Sequence, residues 1–216
     1  MLGKALSCLK GRTKPDPVAA VCSAAGTISG GIAQMVSPAG RIGLPLLQRM
    51  VQMSSRDDFI RFMQAPVLAG SAIHRGTLAS VQAGSGSREM NRTILFEPAE
   101  DIEQTVSPSE SLKHAVYPLV KGEHASSVGN YFSIGRIDGN DCIMPDYAIS
   151  KHHASIEVRR STFLLKDCGS TNGTLLNGER LRTKPLEIHD RDVASFARYE
   201  FTFLWPGSFY DILKAA

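Results

Sequence analysis

From about Leu112 to Leu213 the chain reads as one short strand after another. The stretches "AVYPLV", "YFSIGR", "ASIEVR", "TFLLKD", "TLLNG", "LEIHD", "DVASFA" and "YEFTFLW" are rich in β-branched and aromatic residues. Turn signals separate them at roughly 8–12-residue intervals. Several alternate, as in Ser155-Ile156-Glu157-Val158-Arg159, the pattern of a strand with one buried face. No convincing helix-period run interrupts the series. Segments of this kind each need to bury a face, and two antiparallel sheets packed face to face achieve it. The expected fold class is all-β, a two-sheet antiparallel β-sandwich over 112–214, with a partly disordered or short-helical N-terminal extension.

The rest of the 216-residue chain divides by composition. Residues 1–55 are a low-complexity segment rich in Gly, Ala, Ser and Pro. Residues 56–82 hold apolar clusters at Phe59, Ile60, Phe62, Met63, Val67 and Leu68, with Asp57 and Asp58 suited to a helix start and Pro66 to its end. A short helical or mixed element is expected there. Residues 83–111 read as an acidic linker, with "AGSGSRE" followed by "EPAEDIEQTVSPSES". Val18 to Gly40 carries no charge over 23 residues, but it is mostly Ala, Gly and Ser and holds Gln34 and Pro38. A loosely ordered segment suits it better than a membrane span.

Net charge is +3, from 24 basic and 21 acidic residues, too even to argue for nucleic acid or an anionic membrane by bulk charge. The four cysteines, Cys8, Cys22, Cys142 and Cys168, show no zinc spacing, so reduced thiols in a cytoplasmic protein are expected, with no metal and no cofactor. Spacing alone does not decide whether Cys142 and Cys168 pair. No grouping of nucleophile and base has catalytic spacing, so no enzyme activity is expected.

The loops carry the chemistry. "IGRIDGND" places Arg136 just after a strand, "ISKHHA" holds Ser150, Lys151, His152 and His153, and "LKDCGSTNGTLLNG" holds Ser170, Thr171 and Asn172 between two Asn-Gly pairs. These loops offer a guanidinium, an ammonium, hydroxyls and an amide, but no carboxylate pair. A forked guanidinium and hydroxyl donors match phosphate oxygens, and an Asn amide can hold an extended peptide backbone. The set suits a phosphorylated peptide.

Gly135-Arg136, Ser150-Lys151-His152-His153-Ala154 and Gly169-Ser170-Thr171-Asn172-Gly173-Thr174, followed by Asn177-Gly178, resemble in order and spacing the signature of the forkhead-associated (FHA) domain. The resemblance covers about the last hundred residues and implies a β-sandwich that recognises phosphothreonine in partner proteins. It implies that Arg136 and Ser150 hold the phosphate, joined by Thr171, and that Asn172 bonds the ligand backbone. His153 would brace the loops from behind, and Gly135 and Gly173 would permit backbone turns. Lys151 stands where the family often has Arg, which keeps the charge and loses a forked contact. The loop before Ser150 holds no basic side chain, so selection of an acidic residue three positions after the phosphothreonine is not expected, although a later loop holds Arg198.

The function implied is a phosphothreonine-dependent adaptor downstream of a Ser/Thr protein kinase. The alternative is an assembly or scaffold protein in which residues 1–82 carry the main partner or membrane contact. Thr105, in "EDIEQTVSP", is the candidate phosphorylation site, and self-association through phosphorylated Thr105 is the partner relation considered within the chain. About nine residues, at most about 30 Å, separate Thr105 from the first strand near Ala115. In the family the chain enters opposite the recognition loops of a domain roughly 34 Å across. Capture by a second molecule is therefore favoured over closure within one.

Overall fold

The computed structural model of the protein describes residues 31–74 and 108–215. Thr105, Cys8, Cys22 and the uncharged run as far as residue 30 lie outside the described residues. After a 3-10 turn at Ile32–Met35 come helix α1 (Leu44–Met53), helix α2 (Arg56–Met63), strand β1 (Val67–Gly70) and the short helix α3 (Ser71–His74). Helix α4 (Pro108–Lys113) precedes strands β2 (Val116–Pro118), β3 (Tyr131–Gly135), β4 (Cys142–Ile143), β5 (Ala154–Arg159) and β6 (Thr162–Asp167). Strands β7 (Thr174–Leu176), β8 (Glu179–Arg180), β9 (Leu186–Ile188), β10 (Val193–Phe196) and β11 (Tyr199–Leu204) follow, and helix α5 (Pro206–Ala215) ends the chain.

The strands form two sheets, one in the order β2-β1-β11-β10-β7-β8 and one in the order β4-β3-β5-β6-β9. Every pairing is antiparallel except the short β3–β4 pair. All eight stretches read as strands from the sequence contain one. The main core lies between the sheets, where Phe132, Ile134, Ile156 and Phe163 meet Leu68, Phe196, Phe201 and Phe203.

A third layer lies outside the six-stranded sheet. Alternate residues of its strands, Val67, Ala69, Val116 and Leu204, pack with Leu47 and Val51 of α1, Phe59 and Met63 of α2, and Phe209 and Leu213 of α5. Burying each large side chain of this set contributes about 1.5–3 kcal/mol. Helix α2 is begun by Ser55, whose hydroxyl accepts the Asp58 amide at 3.2 Å, with Asp57 and Asp58 in its first turn. It stops at Gln64, which takes a left-handed conformation (φ 54°). Arg41 locks this layer to the sandwich: it donates to the Tyr117 hydroxyl at 2.8 Å, to the Ser111 hydroxyl at 3.0 Å and to the Ile143 carbonyl at 3.2 Å.

The division drawn from composition at residue 112 therefore cuts through a sheet. Strand β1 lies between β2 and β11, with Val67 opposite Pro118 on one side and Leu204 on the other. The division also missed three helices, one of them α4, which begins inside the segment read as an acidic linker. Helix α1 falls inside the segment read as low-complexity, and α5 follows the last strand at once, its first residue being Pro206, which suits a helix start.

Cys142 and Cys168 are both free thiols, the first buried and the second exposed. Among the described residues no helix is long and apolar enough to cross a membrane.

Candidate functional site

The three loops singled out in the sequence meet at one end of the sandwich. Strand β3 delivers Arg136 there, and its amide donates to the Ser150 carbonyl at 3.0 Å while the His153 amide donates to Ile134 at 2.8 Å. Between those two bonds Lys151 and His152 arch over Gly135. A Cβ on Gly135 would lie 2.1 Å from the Lys151 carbonyl oxygen. Glycine is needed there for close approach rather than for the turn that the resemblance implies, since Gly135 has no positive φ. Gly173 does make a turn, at φ +86°.

Arg136 is half-buried rather than wholly facing solvent, and its Nε is buried with no hydrogen-bond partner. Its guanidinium carbon sits 5.0 Å from the centre of the Tyr147 ring, a cation–π contact that holds it in place. Tyr147 is itself almost wholly exposed, at 93%. Ile149, in the same loop, is buried in the core and turned away from this surface.

The Ser150 hydroxyl accepts the Thr171 amide at 3.0 Å and reaches the Thr171 hydroxyl at 3.4 Å. The second distance is long for a hydroxyl pair, so both hydroxyl protons are easily given to another acceptor. Asn172 is exposed and donates to the Ala148 carbonyl at 2.7 Å, leaving its side-chain oxygen open among the described residues. Lys151 is exposed and forms no ion pair among the described residues. These residues thus bring two cations, two hydroxyls and an amide to one surface.

His153 lies behind this surface, fully buried. Its Nδ1 accepts the Ser150 amide at 3.1 Å, which leaves Nε2 to carry the proton and donate to the Gly173 carbonyl at 3.1 Å. Burial pushes its pKa below the usual histidine value, against a smaller opposing pull from the Gly173 carbonyl and the Asp167 charge. His152 is exposed and bonds Asn140 instead, and no cluster of metal-ligating side chains occurs among the described residues.

Two supports escaped the sequence reading. Asn140, 1% exposed, donates to the carbonyls of Ile137 at 2.8 Å and Lys151 at 2.9 Å, tying the Arg136 loop to the Ser150 loop. Asp167 takes the Ser170 hydroxyl and the Thr174 hydroxyl, each at 2.6 Å, and the amides of Gly169 and Ser170. Burial alone would raise its pKa, but these hydrogen bonds prevail and lower it. Ser170, which looked like a free hydroxyl in sequence, is therefore an internal staple. An Asp two residues before Gly-Ser is the signal that could have found it, as a side chain capping its own turn.

A further ion pair stands beside Asn172. Asp146 takes Arg198 at 2.8 Å, the Tyr199 hydroxyl at 2.7 Å and the Ala148 amide at 2.8 Å. Burial works against the charged carboxylate, yet these three bonds hold its pKa below the usual range. Arg198 is thereby occupied within the protein.

Strand β2 is entered from this same end. Strand β1 is antiparallel to both β2 and β11, so β2 and β11 run the same way. Strand β11 starts at the β10–β11 turn, where the Ala197 amide donates to the Gly173 carbonyl at 3.1 Å. Helix α4 leads into β2 from there. The chain first enters the sandwich with β1, whose Val67 pairs with Leu204 at the far end of β11, so entry opposite the recognition loops holds for β1, whereas β2 is entered from the recognition end.

Comparison with known proteins agrees with the motif reading. A family model described as FHA domain matches residues 132–197. The transcriptional regulatory protein EmbR of Mycobacterium tuberculosis is 33% identical over 70 residues, 32% of this chain and 18% of EmbR. An FHA domain-containing protein of Arabidopsis thaliana is 36% identical over 73 residues, 33% of this chain and 19% of that protein. The chain thus spans less than a fifth of these relatives' lengths. Among solved structures, Mycobacterium tuberculosis EmbR in complex with a low affinity phosphopeptide matches 42% of this chain and 21% of its own, at 29% identity and a TM-score of 0.36. The matched segment begins in the strand that leads to Arg136 and ends in the turn beside Gly173, so the match to the FHA domain model spans all three loops of the site.

Proposed function

We propose that this chain is a phosphothreonine-dependent interaction module that joins partner proteins after a Ser/Thr kinase has modified them. The observation that carries the reading is Arg136, whose Nε is buried and unpartnered and whose amide bonds the Ser150 carbonyl at 3.0 Å, in a site where the Ser150 and Thr171 hydroxyls are only loosely paired. A buried, unsatisfied guanidinium nitrogen costs free energy that a bound anion recovers. In this reading Arg136, Ser150 and Thr171 hold the phosphate, Lys151 adds charge, and Asn172 offers its free oxygen to a peptide amide. Gly135, Gly173 and His153 keep the loops in place. Residues 31–74 bury their apolar faces on the sheet, so the scaffold alternative gains no support from them.

The test is titration of matched threonine, phosphoserine and phosphothreonine peptides against the full chain. Micromolar binding of the phosphothreonine peptide, weaker binding of phosphoserine and none of threonine is expected. Equal binding of all three would end the reading.

Phosphorylated Thr105 is proposed as one such ligand, captured by a second copy of the chain. Because Thr105 precedes β2, and β2 is entered from the recognition end, reach does not disfavour capture within one molecule. Light scattering after kinase treatment and site mapping separates the cases. A dimer supports the reading. A modified monomer overturns it, and a blocked pocket in that monomer marks internal capture.

A further inference from the structure

Arg180 sits on the edge strand β8, opposite Leu175. Its side chain reaches across the β7–β8 hairpin to the phosphopeptide loop. A Cβ built on Gly173 would lie 2.8 Å from the Arg180 Nη2 and 2.9 Å from Cζ, so the guanidinium rests directly on the Gly173 Cα. Gly173 follows Asn172, the side chain assigned to the ligand backbone. Arg180 is exposed and has no hydrogen-bond or ion-pair partner among the described residues.

The contrast with Arg198 gives this position its meaning. Both arginines flank the Asn172–Gly173 corner, Arg198 through the turn whose Ala197 amide bonds Gly173. Arg198 is neutralised by Asp146 and further bound to Tyr199. Arg180 keeps its full charge open to solvent. At the Asn172–Gly173 corner the cation open to a ligand carboxylate is therefore Arg180 and not Arg198, while Lys151 stands apart in the Ser150 loop. Gly173 has two reasons to be glycine: its positive φ, and the bare Cα on which the guanidinium lies.

We propose that Arg180 is a specificity-determining residue that selects an acidic side chain, or a second phosphate, within a few residues of the phosphothreonine and on one side of it. The proposal rests on the phosphopeptide reading above. It makes the preferred ligand a peptide with two separated anionic groups. Arg136 takes one in a half-buried pocket, and Arg180 takes the other at the exposed rim.

The test uses the full chain and phosphothreonine peptides in an alanine background. A single Asp is moved through each position from four before to four after the phosphothreonine. One or two neighbouring positions on one side should bind about two- to five-fold more tightly than the all-alanine peptide, the range an exposed ion pair allows. Arg180→Gln should abolish that gain and leave the all-alanine phosphopeptide unchanged, and Arg180→Glu should turn the gain into a loss. Raised salt should erode the gain. Indifference to Asp at every position, or a preference that survives Arg180→Gln, overturns the assignment of Arg180 and leaves the phosphopeptide reading standing. Absence of binding by any phosphopeptide overturns both.

Discussion

The buried ring of His153 donates from Nε2 to the carbonyl of Gly173 across 3.1 Å, joining the Ser150 loop to the Asn172 loop from inside the protein. The bond exists because Nδ1 is occupied by the Ser150 amide, which leaves the proton on Nε2. Both loops thus depend on one neutral imidazole.

Neutrality of His153 makes stability depend on pH. Burial lowers its folded pKa, so the unfolded chain, titrating near ~6.5, binds the proton first as pH falls. The stability it contributes is complete above about pH 6.5 and is lost as pH falls from there through the folded value. Melting temperature should decline between about pH 7.5 and 5, and His153→Gln should flatten the part of the decline that begins near pH 6.5. Parallel declines in the two proteins would assign the effect to other groups. At neutral pH, His153→Ala strands a buried amide and a buried carbonyl and should cost about 2–4 kcal/mol, seen as a fall of roughly 5–10 °C.

Arg136→Ala should separate binding from folding. Removal of a buried nitrogen that has no partner takes away no native hydrogen bond, so the melting temperature should move by no more than about 2 °C. Phosphopeptide affinity should fall by about 30-fold or more, the loss expected when one side of a desolvated charge contact is truncated. Thermal unfolding and calorimetric titration of the same preparation check both halves. An unfolded variant would make Arg136 a structural residue.

Gly135→Ala and Asn140→Ala should weaken the same corner for different reasons. The added methyl meets the Lys151 carbonyl and the Asn140 amide, forcing a backbone shift that costs about 3 kcal/mol. Loss of the Asn140 side chain leaves two part-buried carbonyls unpaired and should cost about 1–3 kcal/mol. In both variants hydrogen exchange should quicken at Arg136 and His153 before it does in the β5–β6 pair. Uniform acceleration would show that the corner is not a local unit.

A fragment beginning at Leu112 should not fold stably. It lacks β1, so β2 and β11 lose their shared partner, and Leu204, Phe209 and Leu213 lose the apolar surface of α1 and α2. A fragment from Gly31 keeps that surface and should unfold in one cooperative transition. Circular dichroism melts of the two fragments are the check; a cooperative melt of the shorter one would show the sandwich to be independent of the helical layer.

The sequence by itself determined the sandwich and the three loops. Strands such as β5 bury one face and expose the other, and that alternation is written in adjacent residues. The loop residues Arg136, Ser150, Thr171 and Asn172 were legible because each lies in a short motif with fixed spacing. Strand β1 was not, because it is buried on both faces: Leu68 enters one core while Val67 and Ala69 enter the other, and no alternation remains. Helix α5 was hidden behind the strand run that precedes it. Only the tertiary structure decided what holds the loops together and which charges stay open. Asn140 meets Lys151, Asp146 meets Arg198, and Arg180 meets Gly173 through space, across loops distant or offset in the chain. A hydrogen bond or ion pair depends on separation in space, and residue spacing along a chain encodes that separation only within a single element.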